Sequence, residues 1–242
     1  MKAKDADLRI SLSPSRAADA ANSYKRAGII RIADLFPAEV AEALHRHLDA
    51  DIEWSRAVTQ GDKVWDLSPE LVAAIDGGKG SDLLAGLHSR ASESFQFLFD
   101  SLIVSDDPQA RKARGLLVDR LLEALNHPSS LDTLRAITGE PAIRLVNGQA
   151  TRYLPGHFLT SHDDGIDGED RIAAYVINLT RGWRADWGGL LQFHNATGDI
   201  PLALKPGFNT LHLFRVPQMH SVSYVAPFAA LPRYAITGWL RR

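Results

Sequence analysis

The spacing of apolar positions changes character part-way along the chain. Residues 15–26 carry a helical pattern, and residues 28–36 (GIIRIADLF) alternate apolar and polar positions as a half-buried strand does. Pro37 suits the first turn of a helix, and Val40, Ala43, Leu44 and Leu48 then fall on one helical face. Ser68 and Pro69 make an N-cap and first-position pair ahead of a short helix. The glycine-rich stretch 76–82 reads as a turn, with Ser81 capping a helix that runs through Phe99. Further helices are predicted over 106–126 and 131–138, the second stopped by Gly139. From Pro141 onward the pattern shortens. Stretches 142–154, 171–179, 189–194, 209–214, 220–225 and 233–240 are rich in β-branched and aromatic residues and separated by Gly, Pro, Asp and Asn. Such short strands predict an antiparallel sandwich or barrel. The expected class is therefore mainly β with N-terminal helices (α+β), as one domain over 1–242: a helix-rich supporting half, 1–140, and a β-rich half, 141–242, that carries the site.

Composition narrows the function. The chain is 45% hydrophobic and 23% charged, with a formal net charge of −2 and no long Lys/Arg block, which argues against a nucleic-acid partner. It has no cysteine, so disulfides, zinc ribbons and thiol catalysis are excluded. No apolar run reaches the roughly 18 residues of a membrane span, and the first twenty residues lack a secretory apolar stretch, so no membrane partner and a cytoplasmic location are expected. The 76–82 stretch is not a phosphate loop, because Lys79 is followed by Gly80 rather than Ser or Thr. His45 and His47, two apart on a predicted helix, point to different sides and read as surface histidines.

The informative stretch is SHDDGIDGEDR, 161–171. In an extended segment His162 and Asp164 project to one side and Asp163 to the other. With His220 from the stretch 220–225 as a third ligand, two imidazoles and a carboxylate would face a metal and leave its far side open, the geometry of non-haem Fe(II) oxygenases. The same residues also fit a loop histidine beside a solvated acidic turn. In the last strand Arg233, Ala235, Thr237 and Trp239 share one face, and Tyr234, Ile236, Gly238 and Leu240 the other. An arginine heading an inward face needs an anion; a guanidinium clasps a carboxylate bidentately, and Thr237 can add a hydroxyl. An internal salt bridge or an exposed strand end would also account for it.

Taken together, these residues resemble the 2-oxoglutarate- and Fe(II)-dependent dioxygenases, in particular the prolyl 4-hydroxylase-like branch. The matching pattern is His162-Asp163-Asp164, then Trp187-Gly188-Gly189-Leu190-Leu191, then His220-Ser221-Val222, then Arg233-Tyr234-Ala235-Ile236-Thr237. The match is dense from about Gln149 to Trp239. The resemblance implies a double-stranded β-helix, a jelly-roll or cupin-like barrel flanked by helices. It implies Fe(II) on His162, Asp164 and His220, and the remote carboxylate of the co-substrate 2-oxoglutarate on Arg233, with Tyr153, Thr237 and Trp239 lining the same pocket. It further implies O2 as oxidant, release of succinate and CO2, and hydroxylation of a C–H bond, of a prolyl residue in a protein or peptide substrate. A small-molecule substrate and a non-catalytic metal-binding module on the same fold stay open, as does a need for ascorbate (vitamin C), common in that family, and the oligomeric state.

Three departures stand out. Val176 occupies a position where the family often has a tyrosine that bonds the co-substrate, and Tyr175 lies on the opposite face. The connection between His220 and Arg233 is longer by a few residues. The 163–170 stretch is unusually acidic, which reads as a solvated turn or as an attraction for a cationic substrate. Substrate choice is expected from loops at the barrel mouth: 163–170, 180–189 with Trp183, Arg184 and Trp187, and 54–66 of the helical half.

Overall fold

The structure, a computed structural model, describes residues 5–60, 63–79, 81–165, 168 and 170–242. Ser13 accepts a hydrogen bond from the Arg16 N–H ahead of helix α1 (Pro14–Ala27), which closes on Gly28 in the left-handed region. The alternating stretch forms β1 (Ile29–Ala33), and α2 (Ala38–Ala50) follows with Val40, Leu44 and Leu48 buried. Next come β2 (Ser55–Gln60), β3 (Lys63–Leu67), α3 (Pro69–Ala74), α4 (Ser81–Ala91) and β4 (Phe97–Val104). Helices α5 (Pro108–Arg114), α6 (Leu117–Leu125) and α7 (Pro128–Thr138) lead into the strand-rich half. There the strands are β5 (Leu145–Val146), β6 (Gly148–Tyr153), β7 (Phe158–His162), β8 (Arg171–Leu179) and β9 (Leu191–Phe193). The last four are β10 (Leu202–Leu204), β11 (Phe208–Arg215), β12 (His220–Val222) and β13 (Arg233–Arg241).

Several expectations need correction. Within the 54–66 stretch, β2 and β3 pair antiparallel rather than forming loops of the helical half. The helix predicted through Phe99 ends at Ala91, and Phe97, Leu98 and Phe99 belong to a strand. All three are buried, and a continuous apolar run does not by its period distinguish strand from helix. The 106–126 helix is broken by Gly115, whose φ of 68° ends α5. Ile75–Lys79 coil into a π-helical turn, while Gly80 and the side chain of Ser81 lie outside the described residues. His47 is buried rather than at the surface, and His45 Nδ1 bonds the Leu179 carbonyl at 2.8 Å.

Strand order is β1-β11-β8-β13-β6-β4-β7-β12-β9-β10. The strands up to β6 form one layer, and β7, β12, β9 and β10 form the other, with β4 pairing to both β6 and β7. Between the layers Ala174, Val176, Phe214 and Ala235 meet Leu191 and Phe193. This is the double-stranded β-helix architecture. Alternation along β8, β11 and β13 sends the intervening residues the other way: Tyr175, Ile177, Leu211, Leu213, Tyr234, Ile236 and Leu240 pack with residues of α1, α2, α6 and α7. Strand β8, buried on both faces, therefore reads as a near-continuous apolar run. Among the described residues no helix is long and apolar enough to cross a membrane.

The predicted helical half contributes strands to the same sheet. Asp100 on β4 stands in register between Arg56 of β2 and Arg152 of β6. It is fully buried and bonds Arg56 Nε at 2.8 Å and Arg152 Nη2 at 2.7 Å. Removing its charge leaves two guanidinium groups without their shared counter-ion. Asp100→Asn is expected to lower the unfolding free energy by about 3 kcal/mol, checked by urea titration against the parent protein.

Candidate active site

The site begins where β7 meets β12. His162 and His220 are paired across these strands, with ring centroids 4.1 Å apart. Asp164 Oδ1 lies 3.5 Å from His162 Nε2, and its Oδ2 lies 3.5 Å from His220 Nε2. One ligand atom from each residue falls within 4.8 Å of the others, the spacing of a metal-binding cluster. The convergence differs in origin from the expected extended segment. Strand β7 stops at His162, and Asp164 adopts a left-handed φ of 63° that swings its carboxylate back over the imidazoles. Aspartate tolerates this region better than most residues. Asp163 does point away, its carboxylate accepting the Gly165 N–H at 2.9 Å.

Backbone carbonyls fix both histidines. His162 Nδ1 bonds Thr160 O at 3.0 Å, and His220 Nδ1 bonds Gln218 O at 2.7 Å. A carbonyl accepts only, so each Nδ1 carries the proton and each Nε2 presents a lone pair toward Asp164. Burial, then the nearby His162, lowers the His220 pKa to about 4. Burial works against the Asp164 charge, but His162, His220 and Trp239 together offset it and hold the carboxyl below its usual range. Both groups thus take the protonation state a metal ligand needs.

A cavity opens beside the cluster, lined by Tyr153, Val176, Arg233, Thr237 and Trp239 as well as by His162, Asp164 and His220. Every residue predicted for the site borders this one space. Arg233 is 2% exposed, its Nε makes no hydrogen bond, and among the described residues it forms no ion pair. Both alternatives for this arginine, the internal salt bridge and the exposed strand end, are excluded on these grounds. The guanidinium sits over the Tyr153 ring, 4.8 Å from its centroid. Burial pushes the Tyr153 phenol up to about 12 despite the opposing effect of Arg233, so the ring is neutral. Such a pocket favours a small anion.

The Gly188-Gly189 pair has a physical reason. Both have positive φ; a Cβ on Gly188 would overlap the Tyr224 carbonyl, and one on Gly189 would lie 3.2 Å from Arg233 Cδ. The pair lets the chain pass close beneath the arginine stem.

The loop expectations fare differently. Trp183 and Trp187 are buried with Phe99, Tyr153 and Val222, so they support the pocket wall and do not face a substrate at the mouth. Arg184 is exposed and pairs with Asp186 at 2.6 Å. Trp65 of the hairpin is about half exposed, whereas Trp54 is buried. Asp167 and Glu169 of the acidic stretch lie outside the described residues. Sequence reasoning missed Arg171, whose guanidinium stacks 3.6 Å from the Trp239 ring centroid and 3.8 Å from Asp164 Oδ1. It also missed His212 and Asn178, both buried on the inner face. The alternation of 209–214 was a usable signal, since it places His212 with Thr210 and Phe214.

Residues 148–241 match the 2OG-Fe(II) oxygenase superfamily. The match covers that segment, the strand-rich part of the chain that holds the cluster and the cavity residues. No curated protein matches the chain. Among solved structures, a Pseudomonas putida prolyl-4-hydroxylase is 18% identical, with 93% of this chain and 98% of that one covered and a TM-score of 0.51. A prolyl hydroxylase from Trichoplax adhaerens, in complex with a hypoxia inducible factor oxygen degradation domain peptide fragment, is 15% identical, covering 94% and 89%, at 0.59. The non-haem α-ketoglutarate-dependent epimerase SnoN from nogalamycin biosynthesis is 13% identical, covering 93% and 82%, at 0.57. These likenesses are of fold. The matched segment carries all seven residues predicted for the site, while β1 and β4 flank it from outside its limits.

Two buried histidines near this site couple stability to pH. Burial is the main cause lowering His157 to about 4 and His212 to about 3, from 6.5. Below 6.5 the unfolded chain takes up protons that the folded chain refuses, so their contribution is complete above 6.5 and lost as pH falls toward the folded values. The slope is roughly 1.4 kcal/mol per pH unit per histidine. The urea midpoint is expected to be lower at about pH 5 than at about pH 7.5, and His157→Phe should flatten the difference; urea titrations of both proteins at the two pH values check this.

Proposed function

We propose that the chain is an Fe(II)- and 2-oxoglutarate-dependent dioxygenase that hydroxylates a C–H bond of a prolyl residue in a protein or peptide. One observation carries the reading: a buried arginine, without an ion pair among the described residues, opens onto the same cavity as a two-histidine, one-carboxylate cluster. That donor set suits Fe(II) with open coordination positions, and the orphaned Arg233 Nε suits an anionic co-substrate.

In this reading His162, Asp164 and His220 hold the iron, and Arg233 with Thr237 holds the remote carboxylate of 2-oxoglutarate. Bound Fe(II), 2-oxoglutarate and O2 supply the oxidising chemistry, with succinate and CO2 released. The protein supplies placement and exclusion of water. The Thr160 and Gln218 carbonyls keep each ligating Nε2 deprotonated and aimed. Tyr153 backs the guanidinium, and Phe214, Leu191 and Val222 keep the cavity wall dry. Arg233 also brings a site holding iron and a dicarboxylate close to neutrality. The prolyl peptide substrate is supported by the two prolyl hydroxylases of the same fold, one of them with a peptide bound.

Anaerobic titration with Fe(II) and 2-oxoglutarate is expected to give the visible iron-to-keto-acid charge-transfer band only when both are present. His162→Ala should abolish iron binding. Arg233→Ala should retain iron and weaken 2-oxoglutarate by about a hundredfold. Absence of the band in the parent protein, or equal effects of the two changes, would overturn the assignment. Proline-containing peptides should then stimulate succinate release and gain one oxygen atom by mass spectrometry.

A further inference from the structure

The inner face of the major layer carries a polar group that the proposed chemistry leaves unused. His212 is 1% exposed, and among the described residues its Nε2 has no hydrogen-bond partner. It lies on β11 directly across from Val176 of β8, whose other cross-strand neighbour is Thr237 of β13. Paired residues in an antiparallel ladder project to the same side. Thr237, Val176 and His212 therefore form one row across three strands on the inner face, and Thr237 and Val176 border the cavity onto which Arg233 also opens.

The tautomer follows from Asn178. Its Nδ2 lies 3.3 Å from the Val176 and Thr210 carbonyls and 3.3 Å from His212 Nδ1. Two carbonyl acceptors identify this atom as the amide nitrogen, which donates only. Nδ1 of His212 is then the acceptor, and the ring proton resides on Nε2. The result is a buried N–H donor with no acceptor, a costly arrangement unless a ligand completes it. Burial and the charges of Arg233 and Arg31 lower the imidazole pKa to about 3, so the donor is neutral. Its sensitivity to Arg233 places the two groups within electrostatic reach of each other.

We propose that His212 Nε2–H donates a hydrogen bond to the remote carboxylate of 2-oxoglutarate, completing with Arg233 and Thr237 the recognition of that group. The inference rests on the 2-oxoglutarate reading above. It also accounts for Val176: a small apolar residue there leaves room for the donor to arrive from the neighbouring strand.

The test uses the full chain loaded with Mn(II) and compares 2-oxoglutarate with 2-oxopentanoate, which keeps the keto-acid head and lacks the remote carboxylate. By isothermal titration calorimetry, His212→Leu is expected to weaken 2-oxoglutarate roughly tenfold or more while leaving 2-oxopentanoate and Mn(II) affinities unchanged. His212→Gln, which keeps an N–H donor, should retain most of the affinity. Unchanged 2-oxoglutarate binding in His212→Leu, or equal weakening of both keto acids, overturns the role of His212 and leaves the oxygenase reading standing. A parent protein that binds neither keto acid overturns both. If His212→Leu fails to fold, nitrogen-15 NMR of the Zn(II)-loaded parent protein decides. The His212 Nε2–H resonance should move downfield with 2-oxoglutarate and not with 2-oxopentanoate; a response to neither, or to both alike, overturns the proposal.

Discussion

The register between β8 and β13 is the constraint on which the site depends. Because Ala235 faces Asn178 and Thr237 faces Val176, Arg233, Ala235, Thr237 and Trp239 turn inward together. A slip of one residue would present Tyr234, Ile236 and Leu240 to the cavity and drive Arg233 against the helices. Side chains pin the alignment at both ends. Thr180 Oγ1 donates to the Tyr234 carbonyl and accepts the Tyr234 N–H, while Asn147 Oδ1 accepts the Trp239 N–H. The outer face adds the apolar layer of Tyr175, Ile177, Ile236 and Leu240 under the helices, so helix packing and ligand geometry are set by the same two strands.

The treatment of buried cations separates architecture from chemistry. Buried Arg56 and half-buried Arg152 share Asp100, and buried Arg111 faces Glu123 at 4.0 Å; in each case the protein provides the counter-charge. For Arg233 it provides an aromatic face and a close-fitting glycine, which position the guanidinium without neutralising it. A folded chain tolerates an uncompensated buried charge only at some cost in stability. The cost is concentrated next to three potential metal ligands, where an anion can repay it.

Much of this was legible in the residues. The alternation in 233–240 fixed the inward face of β13, and the two histidines, the aspartate and the arginine singled out in the residues border one cavity. The parts that escaped did so for identifiable reasons. The convergence of His162 and Asp164 depends on a left-handed backbone that a side-chain period of two cannot express. Phe97, Leu98 and Phe99 are buried on both faces, which erases the alternation by which β4 would have been recognised. Trp183 and Trp187, aromatic residues in a loop, looked available to a substrate, but only tertiary packing reveals that they fill the wall behind Tyr153. His212 sat in plain alternation and was passed over because a lone histidine on an apolar strand face carries little meaning until its neighbours are known.

The first half of the chain was read as a helix-rich supporting half, yet four of its strands, β1 to β4, join the sheet. Strand β1 covers the free side of β11, and β4 covers the free side of β6 while bridging to β7. The segment 148–241 alone would therefore present two long open edges, one of them on the strand that carries His212. Exposed edges of this kind template association with other chains. The strand-rich half is consequently not a separable unit: a fragment cut at the change in composition would retain all seven residues predicted for the site and still be prone to aggregate.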